Sequence, residues 1–162
     1  MSLSYQELGE FEMTRLKISD FLSNSIRIEG GVLNGSSLTL EEIFIGFDEF
    51  GSIHESAFNP NYNKPRFTIT TSAFSMLHKL RNITFGFLPN TFIESKAFAD
   101  LQGVTEIKCA QYSIKRLETE AFINLPSLEC LDLSYQKIEA IPRKAFSNMA
   151  KLKELFLGAN TI

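Results

Sequence analysis

Two histidines and two cysteines are the residues best suited to metal binding or nucleophilic chemistry. His54 and His78 have no Cys, Asp or Glu at metal-ligand spacing, so we expect solvated or locally bonded imidazoles and no metal. The chain also lacks a nucleophile elbow, a zinc-protease motif, a phosphate loop and a dinucleotide-binding motif. We therefore predict no catalytic site, no cofactor and a chain that is not an enzyme.

The cysteines are predicted to be free thiols. Cys109 falls at an inward position of a predicted strand, where it would be a small buried hydrophobe. Cys130 falls at an outward position of the next strand, so a disulfide between the two has poor geometry. Two glycosylation sequons, at Asn34 and Asn82, favour an extracellular protein and make both residues candidate glycosylation sites.

The elements that must position these residues repeat along the chain. The dipeptide Ala-Phe occurs five times, and its last four copies, which begin at Ala73, Ala97, Ala121 and Ala145, are each 24 residues apart. Ala57 precedes Ala73 by only 16 residues, which leaves either a truncated repeat or a loop at 59–66 before a short strand at 67–69. A fixed period in this range is the signature of a solenoid, where each repeat contacts its neighbours.

The rest of the repeat is apolar at regular positions. The best copy runs from Leu128 to Met149, and the copies share the consensus L-x-x-L-x-L-x-x-N-x-I-x-x-I-x-x-x-A-F-x-x-L. This pattern resembles the leucine-rich repeat, in the 24-residue form typical of extracellular proteins. The stretch 121–135 is also similar in style to arthropod leucine-rich repeat proteins, among them the non-catalytic subunit of oplophorus-luciferin 2-monooxygenase. That likeness implies a relative of the group and does not imply light emission.

The resemblance implies an α/β solenoid. It would be a right-handed coil with a parallel sheet on the concave face and short helical or irregular returns on the convex face. Apolar residues alternate with polar ones around Leu131 and Leu133, which independently predicts a half-buried strand. The Phe of each Ala-Phe is expected to stack down the core. We predict an irregular N-terminal segment or degenerate repeat at 1–38 and a leucine-rich repeat domain at 39–162, truncated in its last repeat.

The position that normally holds Asn after each strand varies here. A side chain at this point bonds backbone groups of the neighbouring coil, and only Asn160 has the usual residue. Asp48 and Gln136 could make similar bonds, whereas Leu88 and Tyr112 could not. We expect looser turns at Leu88 and Tyr112.

Outward strand positions define the predicted binding surface on the concave face. Aromatic anchors in a polar surround suit a protein interface, although the same aromatic residues could fill gaps left by irregular turns. Phe47, Phe87 and Tyr135 occupy equivalent repeat positions and form a predicted aromatic stripe. The candidate protein-binding residues are Phe44, Phe47, Phe87, Glu106, Lys108, Asp132, Tyr135, Glu154 and Phe156.

Composition limits the classes of partner. The net charge of -3 does not favour nucleic acid or anionic membrane, and no apolar run is long enough to cross a bilayer. The N-terminal residues do not read as a secretory signal. We expect a fragment of a longer extracellular or cell-surface protein whose signal and caps lie elsewhere; the open alternative is an end that packs on a second copy or a partner.

Three functions fit this sequence. The first is a secreted or extracellular module that binds a protein partner, of unknown identity, through its concave face. The second is a non-catalytic accessory subunit of a secreted enzyme, and the third is an intracellular leucine-rich repeat scaffold.

Overall fold

The computed structural model describes residues 15–18, 26–28, 40–45, 67–75, 77–86, 91–109 and 114–162, with 16–18, 26–28 and 67 described by their backbone alone. These residues form strands and turns, and none of the described residues is helical. The strands are β1 (Arg15–Ile18), β2 (Ile26–Ile28), β3 (Glu42–Ile45), β4 (Phe67–Ile69), β5 (Asn82–Phe85), β6 (Thr91–Ile93), β7 (Phe98–Ala99), β8 (Glu106–Cys109), β9 (Ile114–Leu117), β10 (Phe122–Ile123), β11 (Cys130–Asp132), β12 (Phe146–Ser147) and β13 (Glu154–Phe156).

The strands build three parallel sheets that run along the coil. The large sheet has the order β1-β3-β5-β8-β11-β13, the second sheet β2-β4-β6-β9, and the third sheet β7-β10-β12. In the large sheet, residues at the same repeat position are paired, as Ile107 is with Leu131 and Leu131 with Leu155. The predicted coil and its parallel sheet are therefore confirmed.

Alternation of apolar and polar residues decides which side of the large sheet is buried. Ile83, Ile107 and Leu131 are fully buried, whereas the neighbouring residues on each strand are half-buried or exposed. This is the two-residue period expected of a strand with one face on the core.

The return segments differ from the prediction of helical or irregular structure. In the described residues they contain the strands of the second and third sheets, joined by turns. Residues Ser72, Lys96, Glu120 and Lys144, each directly before an Ala-Phe, have positive φ values of 58, 57, 60 and 56°. Asp100, Asn124 and Asn148, each four residues after one of these, are also left-handed, and the three residues between two left-handed positions are too few for a turn of α-helix. The chain therefore turns the corner between two short strands.

The Phe residues of the Ala-Phe dipeptides stack as predicted. Phe98 and Phe122 are nearly parallel, with centroids 4.7 Å apart and an interplanar angle of 4°. Phe74 continues the stack on one side at 5.2 Å and Phe146 on the other at 5.8 Å. Phe85 meets the rings of Phe74 and Phe98 edge-on. Phe58, the predicted fifth member, lies outside the described residues.

The predicted bonding by Gln136 is confirmed. Its Oε1 accepts a hydrogen bond from the Ile114 N–H at 2.9 Å, and its Nε2 donates to the Cys109 carbonyl at 3.3 Å. Asn160 makes the corresponding bonds one coil later, to the N–H of Ile138 and the carbonyl of Leu133. Asp48, Leu88 and Tyr112 lie outside the described residues.

Exposure rises at β13, the last strand of the large sheet. Leu155 is 40% exposed, whereas Leu131 at the same repeat position is fully buried. Phe146 is likewise only half-buried, unlike Phe122. No coil within the described residues covers this side of β13.

The N-terminal strands join the same architecture. β1 pairs with β3 in the large sheet, and β2 pairs with β4 in the second sheet. The domain boundary at 38/39 stays a prediction. The short strand expected at 67–69 is present as β4, while the expected loop at 59–66 lies outside the described residues. The part of the chain that the structure describes contains no helix able to cross a membrane.

Candidate protein-binding face

The outward side chains of the large sheet form a continuous surface, here called the outer face. Two rows cross it, because strand partners share repeat positions. The first row is Glu42, Asn82, Glu106, Cys130 and Glu154; the second row is Phe44, Thr84, Lys108, Asp132 and Phe156.

The structure brings six of the nine predicted binding residues onto this face. They are Phe44, Glu106, Lys108, Asp132, Glu154 and Phe156. Tyr135 lies in the turn that follows β11, is 51% exposed and has a φ of 55°. Its N–H donates to the Gly158 carbonyl at 2.8 Å, which ties this turn to the next coil. Phe47 and Phe87 lie outside the described residues. Tyr135 is therefore the one member of the predicted aromatic stripe that the described part of the chain contains.

Ion pairs neutralise the lysines on and beside the outer face. Lys108 Nζ lies 2.7 Å from Glu106 Oε1, and the hydrogen bond to this carboxylate raises the pKa of Lys108. Lys153 Nζ lies 2.8 Å from Glu129 Oε2, and this bond lowers the pKa of the Glu129 carboxyl. At the other end of the sheet, Arg15 binds Glu42. All these pairs are solvent-exposed, so they orient side chains more than they stabilise the fold.

Asp132 is held in place by the turn after β11. Its Oδ1 accepts a hydrogen bond from the Ser134 N–H at 2.9 Å and a second from the Ser134 hydroxyl. Such a local bond fixes the carboxylate near the centre of the second row, beside Lys108 and Phe156.

An open groove of about 320 Å³ lies at the start of strands β5, β8, β11 and β13. Its lining residues are Asn82, Thr105, Glu106, Glu129, Cys130, Lys153 and Glu154. Three carboxylates and one ammonium give it a net negative charge. The groove is therefore better suited to a cationic group than to an anionic one.

The cysteines occupy the predicted positions. Cys109 is buried, Cys130 is half-buried on the outer face, and both are free thiols. Burial raises the pKa of both, and the nearby carboxylates of Glu106 and Glu154 raise that of Cys130 further. A raised pKa leaves little thiolate at neutral pH, so neither cysteine has the electrostatics of an activated nucleophile.

Asn82 begins β5 and lies between Glu42 and Glu106 in the first row. It is half-buried. The pKa of Glu42 is lowered first by its bond to Arg15, with Asn82 adding to the effect. Asn34, the other sequon, lies outside the described residues.

No metal-binding cluster is found among the described residues. No group of three His, Cys, Asp or Glu side chains there could hold a metal ion. His78 is an exposed turn residue, and His54 lies outside the described residues.

Two residues that line the groove, Glu129 and Lys153, were not among the predicted binding residues, and each lies directly before a strand of the large sheet. Glu129 and Lys153 line the groove, and their side chains join neighbouring coils. Their opposite charges at a separation of one repeat are the signal that could have identified them.

Comparison with known families adds one result. Residues 108–162 match the family model described as Leucine rich repeat. This segment is therefore similar to leucine-rich repeats, and the other described strands of the large sheet continue the same parallel coil. Such repeats are typically non-catalytic protein-interaction modules. Neither the curated proteins nor the solved structures give a match to the chain, so the likeness to the monooxygenase subunit has no support from a relative.

Proposed function

We propose that this chain is a non-catalytic protein-binding module that recognises its partner through the outer face. The carrying observation is that the second row places Phe156 beside Asp132 on the outward side of the sheet, while the opposite side of β3, β5, β8 and β11 is buried in the core. Phe156 is 45% exposed, and Tyr135, in the turn after β11, is 51% exposed. Accessible aromatic residues within a polar surround are what the energetic centre of a protein interface requires.

The solenoid would act as a rigid support for recognition. The Phe stack and the Gln136 bonds hold successive coils together, so the outer face is organised before a partner arrives. Little ordering of the backbone would then oppose binding. Specificity would come from Glu106, Lys108, Asp132 and Tyr135, whose polar groups differ from coil to coil.

The test is recovery of the partner with matched surface variants as bait. The wild-type protein, Tyr135→Ala and Lys115→Ala would each be immobilised and exposed to cell extract and medium. Lys115 is exposed on β9 of the second sheet, so it is the control for a surface change away from the outer face. The partner should be retained by wild-type and Lys115→Ala. Tyr135→Ala should lower its affinity by about 2 kcal/mol, as at an interface hot spot. An equal loss of affinity in both variants, or no loss of affinity in Tyr135→Ala, would show that Tyr135 is not part of the site.

We further propose that the full-length protein is extracellular or on the cell surface. The sequons at Asn34 and Asn82 and the 24-residue repeat support this location. A mass shift on glycosidase treatment of the native protein would bear out modification, and recovery from cytosol alone would contradict the extracellular location. The accessory-subunit alternative uses the same face. It predicts that the recovered partner is a secreted enzyme in stoichiometric amount, whereas an intracellular scaffold predicts cytosolic partners.

A further inference from the structure

The outer face near β11 and β13 has more negative than positive charge available to a partner. Lys108 is paired with Glu106, and Lys153 with Glu129. Among the residues that the structure describes, no basic group lies within ion-pair distance of Asp132 or Glu154. These two carboxylates are therefore the ones that a partner's cation can neutralise.

Phe156 adds an accessible aromatic ring to the same place. It is the strand partner of Asp132, and Glu154 lies two residues before it on the same face. A ring face next to carboxylates binds a guanidinium group in two ways, through an ion pair and through the attraction of the cation to the ring.

The chain already contains one contact between an arginine and an aromatic ring. On the second sheet, the Arg116 guanidinium carbon lies 5.7 Å from the centroid of the Phe92 ring. Phe92 and Arg116 are strand partners on β6 and β9. An arginine one strand away therefore reaches a ring on this coil.

We propose that the partner presents an arginine side chain that lies over the Phe156 ring and pairs with Asp132 and Glu154. This inference rests on the proposed function, since it names the chemistry of the partner at the same face. Arginine fits better than lysine because its planar guanidinium both stacks on a ring and bonds two carboxylate oxygens. An acidic segment of a partner would instead be repelled by Asp132, Glu154 and the negatively charged groove.

The experiment titrates the isotope-labelled protein with the peptide acetyl-Gly-Arg-Gly-Arg-Gly-amide at low ionic strength, followed by NMR. The matched probe has citrulline in place of arginine, which removes the charge and keeps the shape. The arginine peptide should shift the amide signals of β11 and β13 and bind about tenfold more tightly than the citrulline peptide. Asp132→Asn, Glu154→Gln and Phe156→Leu should each weaken its binding by about threefold. Glu139→Gln removes an exposed carboxylate elsewhere and should leave binding unchanged.

Two results would overturn the inference. One is equal affinity for the arginine and citrulline peptides, and the other is a loss in Glu139→Gln as large as that in Asp132→Asn, which would mean attraction to net charge alone. Failure of the proposed function gives a different result: a recovered protein partner whose affinity is unchanged by Tyr135→Ala and by every outer-face variant. A partner that depends on Tyr135 but not on Asp132, Glu154 or Phe156 would keep the proposed function and remove the arginine site.

Discussion

Gln136 takes the place of the usual asparagine by bonding the backbone of Ile114 in the preceding coil. The Oε1 of this buried side chain accepts the Ile114 N–H at 2.9 Å. Its Nε2 also donates to the Ser134 carbonyl at 2.7 Å and the Cys109 carbonyl at 3.3 Å. One amide thus satisfies backbone groups of two coils where water cannot.

Replacing Gln136 tests this role. Gln136→Ala should lower the free energy of unfolding by about 1–3 kcal/mol, because the buried Ile114 N–H and two carbonyls lose their partner. Gln136→Asn should retain part of the stability, since Asn160 makes the same kind of bonds one coil later. Urea unfolding followed by circular dichroism measures both, and an alanine variant as stable as wild type would refute the role.

The Phe stack predicts unequal costs for two chemically identical substitutions. Phe122 is fully buried between Phe98 and Phe146, so Phe122→Ala should cost about 3–5 kcal/mol through the cavity it leaves. Phe146 is half-buried, so Phe146→Ala should lower the free energy of unfolding by clearly less. Thermal unfolding of the two variants under the same conditions gives the comparison. Equal losses would mean that the stack does not continue through Phe122 as described.

Backbone strain before Ala-Phe predicts a stabilising substitution. Lys144 has a φ of 56°, a conformation that an L-residue adopts at a cost and glycine adopts freely. Lys144→Gly should therefore raise the free energy of unfolding by about 0.5–1 kcal/mol. Arg143→Gly is the control, because its neighbouring, exposed position is not left-handed and glycine there should be neutral or destabilising. A lower free energy of unfolding for Lys144→Gly than for the wild-type protein would contradict the assigned turn.

The carboxylates around Cys130 predict a measurable change in its reactivity. Burial raises the thiol pKa first, and Glu106 and Glu154 raise it further because each opposes formation of the thiolate. Glu154→Gln removes one negative charge, so the pKa should fall and alkylation at pH 8 should become faster. Glu139→Gln should have no effect on the rate.

The measurement is the pH dependence of iodoacetamide labelling at Cys130, with Cys109 as an internal reference. Cys109 is buried and should react only when the protein unfolds. A rate that rises equally in both glutamate variants would show that Glu154 does not act on the thiol directly.

Much of the fold could be predicted because the repeat is defined by apolar residues at fixed positions. Leu131 and Phe122 recur at a fixed period, and burial follows the same period. The strand register of the large sheet, the facing directions of Cys109 and Cys130 and the bonding of Gln136 all follow from position within the repeat.

The returns could not be predicted in the same way. Lys96 and Glu120 are left-handed although neither residue type signals a turn, because the geometry of the corner imposes the conformation. Their place directly before each Ala-Phe is visible only once several coils are aligned. Likewise, Glu94 and Glu118 accept backbone N–H groups of Thr71 and Ser95, a link between coils that ordinary surface carboxylates do not reveal.

The sequence could predict which residues lie on the binding face, but it could not predict which of their charges are paired. Repeat position placed Lys108, Asp132 and Phe156 on one row. The pairing of Lys108 with Glu106, which leaves Asp132 as an available carboxylate, depends on side-chain geometry.

The most direct test of the account is hydrogen exchange of the protein with and without its recovered partner. Binding through the outer face predicts slower amide exchange in β8, β11, β13 and the turn at Tyr135, with no change in β7, β10 and β12 of the third sheet. Protection confined to the third sheet, or to the second sheet at β6 and β9, would contradict the claim that the outer face is the recognition surface.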